Sequence, residues 1–485
     1  MEVQDFKLYD PCTMCSRYGN VQDMCPENRE ELARTKEEVI ERIKRGPLPR
    51  PIICFSFKAK ENLDHGQLAT YLMSLYDFKT MMDTHEIYFL DNGIYVPQGE
   101  ELIIKTVEKT KNPCTKTFMN EVINHIQART FTEREEFDQD PTLLTLENGI
   151  LDIKTGELNE FSPEYLSIVK LPVYFNKEAK CPTIDKFLSE IVAPEDVQTL
   201  YEIAGFLLLK KYFIHKAIMQ IGDTHSGKST YQQLLCALIG DRNVSHVSIQ
   251  SLLTNRFATS QLYGKLMNSY ADLPNTALKQ TGLFKILTGE DRLSAEKKLK
   301  DFFEFENKAK LIFSCNEMPK TYDKSDAFFI RWLIINFPNR FDDKNPCTDK
   351  KLISKLTTQE ELSGFLNKAI EYAKILFNQE HFTNNPDLED IRQYYEKLSN
   401  PIFAFLNDTC IQEDNAEISK KEFYDGLMKY CEDKKISKPT TVYTTQEMKR
   451  LRIDEGQKHE GTRIWKGIRW KTDTEKTEGF TLDDY

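Results

Sequence analysis

The sequence predicts an α/β protein in which a central sheet is preceded by a mixed α+β region and followed by a smaller helix-rich module. Two observations favour this class. Between Pro182 and Phe341, short apolar stretches alternate with longer helical ones, as expected of an α/β sheet. Within that region, residues 222–229 match the phosphate-loop pattern G-x-x-x-x-G-K-[ST] in full. The 485 residues suffice for roughly three domains.

Composition and charge exclude several classes of protein. Hydrophobic residues make up 40% of the chain and charged residues 29%, which excludes collagen-like and broadly disordered chains. No apolar run reaches the roughly 18 residues of a membrane span, and the start MEVQDFKLYDPC lacks the order of a signal peptide. We therefore expect a cytoplasmic protein without membrane contact. The net charge of −11 predicts that any contact with nucleic acid is local.

The chain divides into five predicted parts. Asp91-Asn92-Gly93 and Asn148-Gly149, each between apolar runs, predict two β-hairpins in the second part. The acidic stretch Thr132–Pro141 between these hairpins is predicted to be a surface linker. The parts are a helical, Cys-containing segment at 1–80, an α+β domain at 81–181, the phosphate-loop domain at 182–378, a C-terminal module at 400–472 and an acidic tail at 473–485.

The phosphate loop lies between an apolar strand, Ala217–Ile221, and a helix that ends at Gly240. In such a loop the backbone N–H groups and the helix N-terminus face the phosphates. Lys228 would neutralise phosphate charge and Ser229 would hold Mg²⁺. ATP and Mg²⁺ are therefore the expected cofactors. The expected nucleotide-binding residues are Gly222, Asp223, Thr224, His225, Ser226, Gly227, Lys228, Ser229 and Thr230.

Two further polar residues follow predicted strands. Asp272 closes the stretch Leu266–Ala271 and is the candidate acid for the metal or the attacking water, although an aspartate that caps a turn is the alternative. Asn316 follows the strand Ala309–Cys315, where open α/β sheets place their ligands. A turn-forming Asn before a proline is the alternative there.

These motifs in this order resemble the superfamily 3 helicases of viruses, phages and plasmids, and in particular the helicase half of poxvirus-type and phage/plasmid primase-helicases. The resemblance also includes Lys285–Asp291, Ser325–Phe337 and, further upstream, Asn148–Asp152. It implies an AAA+-type P-loop core assembled as a hexameric ring, with ATP between subunits and single-stranded DNA in the channel. It also implies a C-terminal winged-helix-like module, and a replicative DNA helicase of a virus, phage or mobile element.

Site residues follow from the resemblance motif by motif. Lys228, Asp272, Asn316 and Arg331 would be catalytic, with Arg331 offered to the γ-phosphate of the neighbouring subunit and Arg340 as runner-up. Ser229 and Asp272 would bind Mg²⁺. Many relatives carry paired carboxylates in the second motif, whereas this chain has Ala at position 271, so the catalytic base beyond Asp272 is open.

A basic cluster is the candidate DNA contact. Its members are Arg292, Lys297, Lys298 and Lys300 in an otherwise acidic chain, and phosphate contacts of this kind carry no sequence information. In the family this region forms a hairpin that lines the channel. A solvated charged helix face is the alternative. The expected partners are single-stranded and forked DNA, further copies of the chain in a homo-hexamer, and a separate primase or polymerase.

Both ends of the chain carry weaker signals. Near the C-terminus, Trp465 and Trp470 stand among basic residues, which suits either stacking on nucleic acid or a hairpin core. Near the N-terminus, Cys12, Cys15 and Cys25 have the spacing of a partial zinc site. The sequence favours three ordinary thiols there, because a fourth ligand is missing.

Two other functional classes stay open. A P-loop kinase of a small substrate would need a lid and predicts a monomer or dimer. A non-catalytic DNA-binding initiator would use nucleotide only for assembly. The order of the motifs disfavours both, because neither function needs Asn316 and Arg331 at these places.

Overall fold

The structure is a computed structural model that describes residues 63–111, 113–274, 276–298, 302–341, 351–434, 436–458, 460–472 and 475. The predicted zinc candidates Cys12, Cys15 and Cys25 lie outside the described residues, as does Lys300. None of the helices described is long and apolar enough to cross a membrane.

The N-terminal part builds a small α+β layer with its own core. Its four strands form a sheet in the order β3-β2-β1-β4, and its helices pack on one another and on this sheet through residues such as Leu72, Ile103 and Ile126. The predicted hairpin at Asn92-Gly93 is confirmed, because both residues have positive φ and join paired residues Asp91 and Ile94. The elements are α1 (His65–Leu75), β1 (Phe78–Met81), β2 (Ile87–Asp91), β3 (Ile94–Pro97), α2 (Gly99–Thr110), α3 (Lys116–Thr130) and β4 (Phe131–Thr132).

The second hairpin is also confirmed, and it packs with the central domain. β5 (Leu143–Leu146) pairs with β6 (Gly149–Asp152), which pairs with β7 (Leu158–Asn159). Leu144, Leu146 and Leu151 are fully buried in the same apolar cluster as the helices that flank the central sheet. The hydrophobic core thus crosses the domain boundary predicted at 181.

The central domain has a five-stranded, all-parallel sheet. The strand order is β14-β8-β13-β10-β9, so β8 is flanked on both sides and its residues Ala217–Ile221 are buried. Apolar side chains on both faces explain this placement, since parallel strands are covered on both sides. Its elements are α4 (Pro182–Ile191), α5 (Val197–Leu208), β8 (Ala217–Gly222), α6 (Lys228–Ile239), β9 (Val244–Ser245), α7 (Ile249–Thr254), β10 (Met267–Tyr270), α8 (Gly282–Leu287), β11 (Arg292–Glu296), β12 (Phe302–Glu306), β13 (Lys310–Cys315), α9 (Asp326–Phe329) and β14 (Trp332–Phe337).

The C-terminal part consists of helices that close the central domain, followed by a small α+β module. The long helix α11 packs closely on α5, where a Cβ on Gly205 would lie 2.6 Å from the Ala373 nitrogen. The module has its own core and a three-stranded sheet in the order β15-β17-β16. The elements are α10 (Leu352–Leu356), α11 (Gln359–Gln379), α12 (Leu388–Ser399), α13 (Pro401–Thr409), β15 (Cys410–Ser419), α14 (Lys420–Asp433), α15 (Thr441–Arg450), β16 (Glu455–Gln457) and β17 (Arg463–Trp470).

The two tryptophans of β17 have different environments. Trp465 is 2% exposed and belongs to the module's core, whereas Trp470 is 38% exposed. The ring of Trp470 stacks on Phe423 at 6.3 Å. A core role therefore accounts for Trp465, and only Trp470 keeps an accessible aromatic face.

The prediction that residues 132–141 form an acidic surface linker is wrong. The segment makes a buried contact between the N-terminal part and the central domain. Asp138 is 4% exposed, and its Oδ1 lies 2.8 Å from Nζ of Lys210, which is itself buried. Ser167 donates to the same Oδ1 at 2.6 Å, and Lys308 Nζ donates to the Asp138 carbonyl at 3.0 Å. Three polar side chains from distant parts of the chain therefore meet at one aspartate.

A second buried carboxyl gives a pH-dependent prediction. Asp196 is 5% exposed, and burial raises its pKa to about 6 although Asn384 Nδ2 donates to it at 2.8 Å. Because the folded pKa is raised, this group favours the folded state below its unfolded pKa and loses that contribution as the pH rises through about 6. One pKa unit corresponds to about 1.4 kcal/mol. We expect Asp196→Asn to gain up to about 2 kcal/mol of unfolding free energy relative to the native chain between pH 5 and pH 7.5.

Urea denaturation at the two pH values measures this difference. Asp425→Asn, at an exposed carboxyl of α14, is the control and should follow the native chain. Equal effects of both substitutions at both pH values would contradict the prediction.

Candidate functional site

The phosphate loop connects β8 to α6 and is held from two sides. A Cβ on Gly222 would lie 2.5 Å from the Phe337 carbonyl oxygen, so only glycine allows β14 to approach the loop this closely. Gly227 has φ +96° at the start of α6 and packs against Ile191. The backbone N–H of Phe341 donates to the His225 carbonyl at 2.9 Å. The loop is thus fixed to the carboxyl end of β14.

Lys228 points back into the loop. Its Nζ donates to the carbonyls of Gly222 and Asp223 at 2.6 and 2.8 Å, and to Ser226 Oγ at 3.1 Å. Burial lowers the pKa of this ammonium group, while the nearby charge of Asp272 opposes that effect. All three hydrogen-bond donors of the ammonium group therefore contact the loop itself.

These residues fit the triphosphate and Mg²⁺ that the sequence predicts. The first N–H groups of a helix have no partner within the helix, so α6 offers donors next to Lys228. Ser229 and Thr224 are exposed at this end of the helix, as the hydroxyl ligand of a metal and a loop contact require. ATP, when bound, supplies the phosphoanhydride bond whose cleavage releases energy. Lys228 would hold its phosphates, and Ser229 with Asp272 would hold the metal.

Asp272 lies just beyond β10, which ends at Tyr270 and not at Ala271 as the sequence predicted. Its φ is +54°, a left-handed conformation that Asp tolerates better than most residues, and its side chain is exposed. Its backbone N–H contacts Ser314 Oγ at 3.4 Å, and the Leu273 N–H donates to the Ser314 carbonyl at 2.8 Å. Ser314 therefore positions Asp272, a role that the sequence analysis missed.

Asn316 directly follows β13 and is exposed. β13 lies between β8 and β10, and all three strands are parallel. The residues that follow these strands therefore meet at one edge of the sheet. The structure thus brings Asn316 and Asp272 to the edge that carries the phosphate loop.

Arg331 lies at the opposite edge. It directly precedes β14, and its carbonyl accepts from the Ala217 N–H, at the amino end of β8. Gly222 is at the other end of that strand, roughly 16 Å away at about 3.3 Å per residue. The Arg331 side chain is partly buried, which lowers its pKa, and Nη1 donates to the Ala327 carbonyl at 2.6 Å. Arg340, in contrast, adjoins Phe341, which contacts the chain's own loop.

The described members of the basic cluster, Arg292, Lys297 and Lys298, lie on a β-hairpin, so the alternative of a charged helix face is wrong for them. β11 and β12 pair in register from Arg292–Glu306 to Glu296–Phe302, with buried residues alternating with exposed ones. Lys297 and Lys298 follow β11 at the hairpin end, and Lys298 is exposed. Arg292 lies five residues earlier, at the base of the hairpin, so the structure separates it from the two lysines.

The fold and the phosphate loop define a P-loop-type α/β protein. Comparisons with known proteins indicate which proteins of this class the chain is similar to. Residues 55–193 match the family described as "D5 N terminal like", and residues 220–331 match a "Family of unknown function (DUF5906)". "Putative helicase 121R" of Invertebrate iridescent virus 3 is 25% identical over 316 residues, which cover 58% of this chain and 34% of the relative. "Putative helicase L207/L206" of Acanthamoeba polyphaga mimivirus is 22% identical over 377 residues, covering 68% of this chain and 37% of the relative.

The family match and the viral relatives confirm the resemblance to superfamily 3-type helicases of viruses and phages. The chain spans about a third of the length of the curated relatives it matches. Among solved structures, two apo forms of the C-terminal region of NrS-1 align with TM-scores of 0.44 and 0.45 at 13% and 12% identity. Each alignment covers 84% of this chain and 99% or more of the other.

Proposed function

We propose that the protein is an ATP-dependent replicative DNA helicase of a virus, phage or mobile element. The observation that carries the proposal is the arrangement of the central sheet. One edge holds Lys228, Asp272 and Asn316 together, and the opposite edge holds Arg331. An edge with a phosphate loop, an acid and a polar amide suits the hydrolysis of ATP.

The position of Arg331 supports a shared active site. Because roughly one strand length separates it from the loop of its own chain, its guanidinium would act on the γ-phosphate bound by a neighbouring subunit. A ring lets every subunit offer its Arg331 edge to the loop edge of the next, since such head-to-tail contacts close into a ring. A homo-hexamer of AAA+-type domains is the assembly that the resemblance implies.

The hairpin β11–β12 and the C-terminal module supply the proposed DNA contacts. Lys297 and Lys298 are at the hairpin end, where they would contact the phosphates of single-stranded DNA in the channel, and Lys300 would lie close by in sequence. The C-terminal elements follow in the order helix, strand, two helices, two strands, which supports a winged-helix-like module. A separate primase or polymerase would be the partner at the fork.

The rate of ATP hydrolysis with and without single-stranded DNA tests the proposal. The helicase predicts hydrolysis that DNA stimulates and that depends on Mg²⁺. Hydrolysis that is indifferent to DNA would favour a P-loop kinase, and a protein that binds DNA without hydrolysing ATP would favour an initiator.

Mixed subunits test the shared site. Arg331→Ala alone should lower ATP hydrolysis by about 10³-fold or more, as expected for an arginine that acts in trans. Mixed with Lys228→Ala subunits, it should recover part of the activity, because some interfaces then join an intact loop to an intact Arg331. Arg340→Ala in the same mixture is the control: acting beside its own loop, it should give no rescue. Absence of rescue for Arg331→Ala at every ratio would contradict a shared site.

A further inference from the structure

The hairpin that carries the DNA-binding lysines is in ionic contact with the N-terminal part of the same chain. Lys297 Nζ lies 3.2 Å from Glu86 Oε2, and Arg292 Nη2 lies 3.1 Å from Glu135 Oε1. Glu86 immediately precedes β2, and Glu135 follows β4, so both carboxylates belong to the α+β layer and not to the central domain. Two predicted DNA contacts therefore already have anionic partners.

A buried arginine holds the two regions together. Arg134 is 8% exposed, and its Nε and Nη2 donate to the two carboxylate oxygens of Asp83 at 2.8 and 2.7 Å. The guanidinium carbon lies 4.7 Å from the ring centroid of Phe303, on β12, and 4.4 Å from that of Tyr263. A two-point ion pair combined with cation–π contacts is a strong and specific arrangement. It fixes the α+β layer against the hairpin close to the turn end, where Phe303 pairs with Ala295.

The ion pairs to the hairpin are of a weaker kind. The side chains of Lys297 and Glu86 are 39% and 28% exposed, and those of Arg292 and Glu135 are 61% and 52% exposed. Pairs this accessible to water contribute little to stability and are screened by salt. The Arg134 contact can thus keep the two carboxylates in place, while Lys297 and Arg292 exchange them for other anions.

We infer that Glu86, with a smaller contribution from Glu135, competes with the phosphates of single-stranded DNA for the cations of the hairpin. A carboxylate and a phosphate compete for the same positive charge, and two anions at one ammonium group repel each other, so Glu86 on Lys297 weakens the binding of a phosphate there. The N-terminal part therefore sets the affinity of the hairpin for DNA from within the chain. This inference rests on the proposed function, since it takes the hairpin to be a DNA contact.

Fluorescence anisotropy with a labelled oligothymidylate and the full chain tests the competition. Glu86→Gln keeps the shape of the side chain and removes its charge, and we expect it to tighten DNA binding about two- to fivefold at low salt. Glu135→Gln should act in the same direction with a smaller effect. Glu101→Gln, at an exposed carboxyl of α2 in the same layer, is the matched control and should leave the affinity unchanged.

A double-mutant cycle with Lys297→Met distinguishes competition for Lys297 from a general repulsion between the Glu86 carboxylate and the DNA. If Glu86 acts by occupying Lys297, then Glu86→Gln has no further effect on DNA affinity in the Lys297→Met background. An equal tightening in both backgrounds, or none in the native one, overturns the inference while leaving the helicase proposal intact. Failure of the native chain and of Glu86→Gln alike to bind DNA would overturn the proposed function together with the inference.

Discussion

Replacing Lys228 with alanine is expected to lower the rate of ATP hydrolysis by at least about 10²–10³-fold, the usual effect of removing a preorganised donor. The ammonium group is buried inside the phosphate loop, where it donates to the Gly222 and Asp223 carbonyls, so it would be the cation nearest to phosphates bound there. Removing it leaves the phosphate charge without its closest cation. Release of inorganic phosphate at saturating ATP measures the loss.

Lys186→Ala is the matched control for this substitution. Lys186 lies on α4 with 77% of its side chain exposed, and it pairs only loosely with Glu190 at 3.8 Å. Its removal should leave the hydrolysis rate unchanged. A Lys228→Ala protein that keeps a third or more of the native rate, with an unaltered thermal melt, would contradict the assigned site.

Asp138→Asn is expected to have the largest effect on stability, lowering the free energy of unfolding by about 3–5 kcal/mol. The substitution removes the negative charge that faces Lys210, whose side chain is 1% exposed, and leaves a buried ammonium group without its counter-charge. Urea denaturation of the purified chain measures the change. Asp91→Asn, at an exposed carboxyl at the end of β2, should change the stability little.

Two further results follow from the same contact. Combining Asp138→Asn with Lys210→Met should cost less than Asp138→Asn alone, because no charge is then buried unpaired. Burial raises the pKa of Asp138, but Lys210, Lys308 and the hydrogen bond from Ser167 outweigh it and hold the pKa below the usual range. This contribution to stability is therefore present above about pH 4 and is lost on further acidification. Equal stability of the single and double variants would contradict the account.

The parts of the fold that the sequence predicts are those fixed by short local patterns. Asn92-Gly93 and Asn148-Gly149 specify their hairpins because few residues adopt the positive φ of a tight turn. The phosphate loop is equally local, since its glycines, lysine and following helix lie within one short segment. In β11 and β12, exposed and buried residues alternate, which is the pattern of a strand. The many charged residues of this region also fit an exposed helix face, so the local pattern did not decide between the two.

The parts that the sequence does not predict depend on residues far apart in the chain. Asp138 lies in an acidic stretch whose composition predicts an exposed segment. Its partner Lys210 is 72 residues away in the sequence, and only the fold brings the two together. Lys297 and Glu86 are separated by 211 residues, so their pairing has no local signature. The role of Ser314 was missed because a buried serine inside an apolar strand does not reveal which loop it supports.

Strand displacement from a forked DNA duplex tests the central claim most directly. With ATP and Mg²⁺, the native chain is predicted to release the labelled strand from a fork with a single-stranded arm of one polarity. Lys228→Ala should bind the same fork and release nothing. Normal ATP hydrolysis by the native chain, without displacement from forks of either polarity, would contradict the assignment of a helicase.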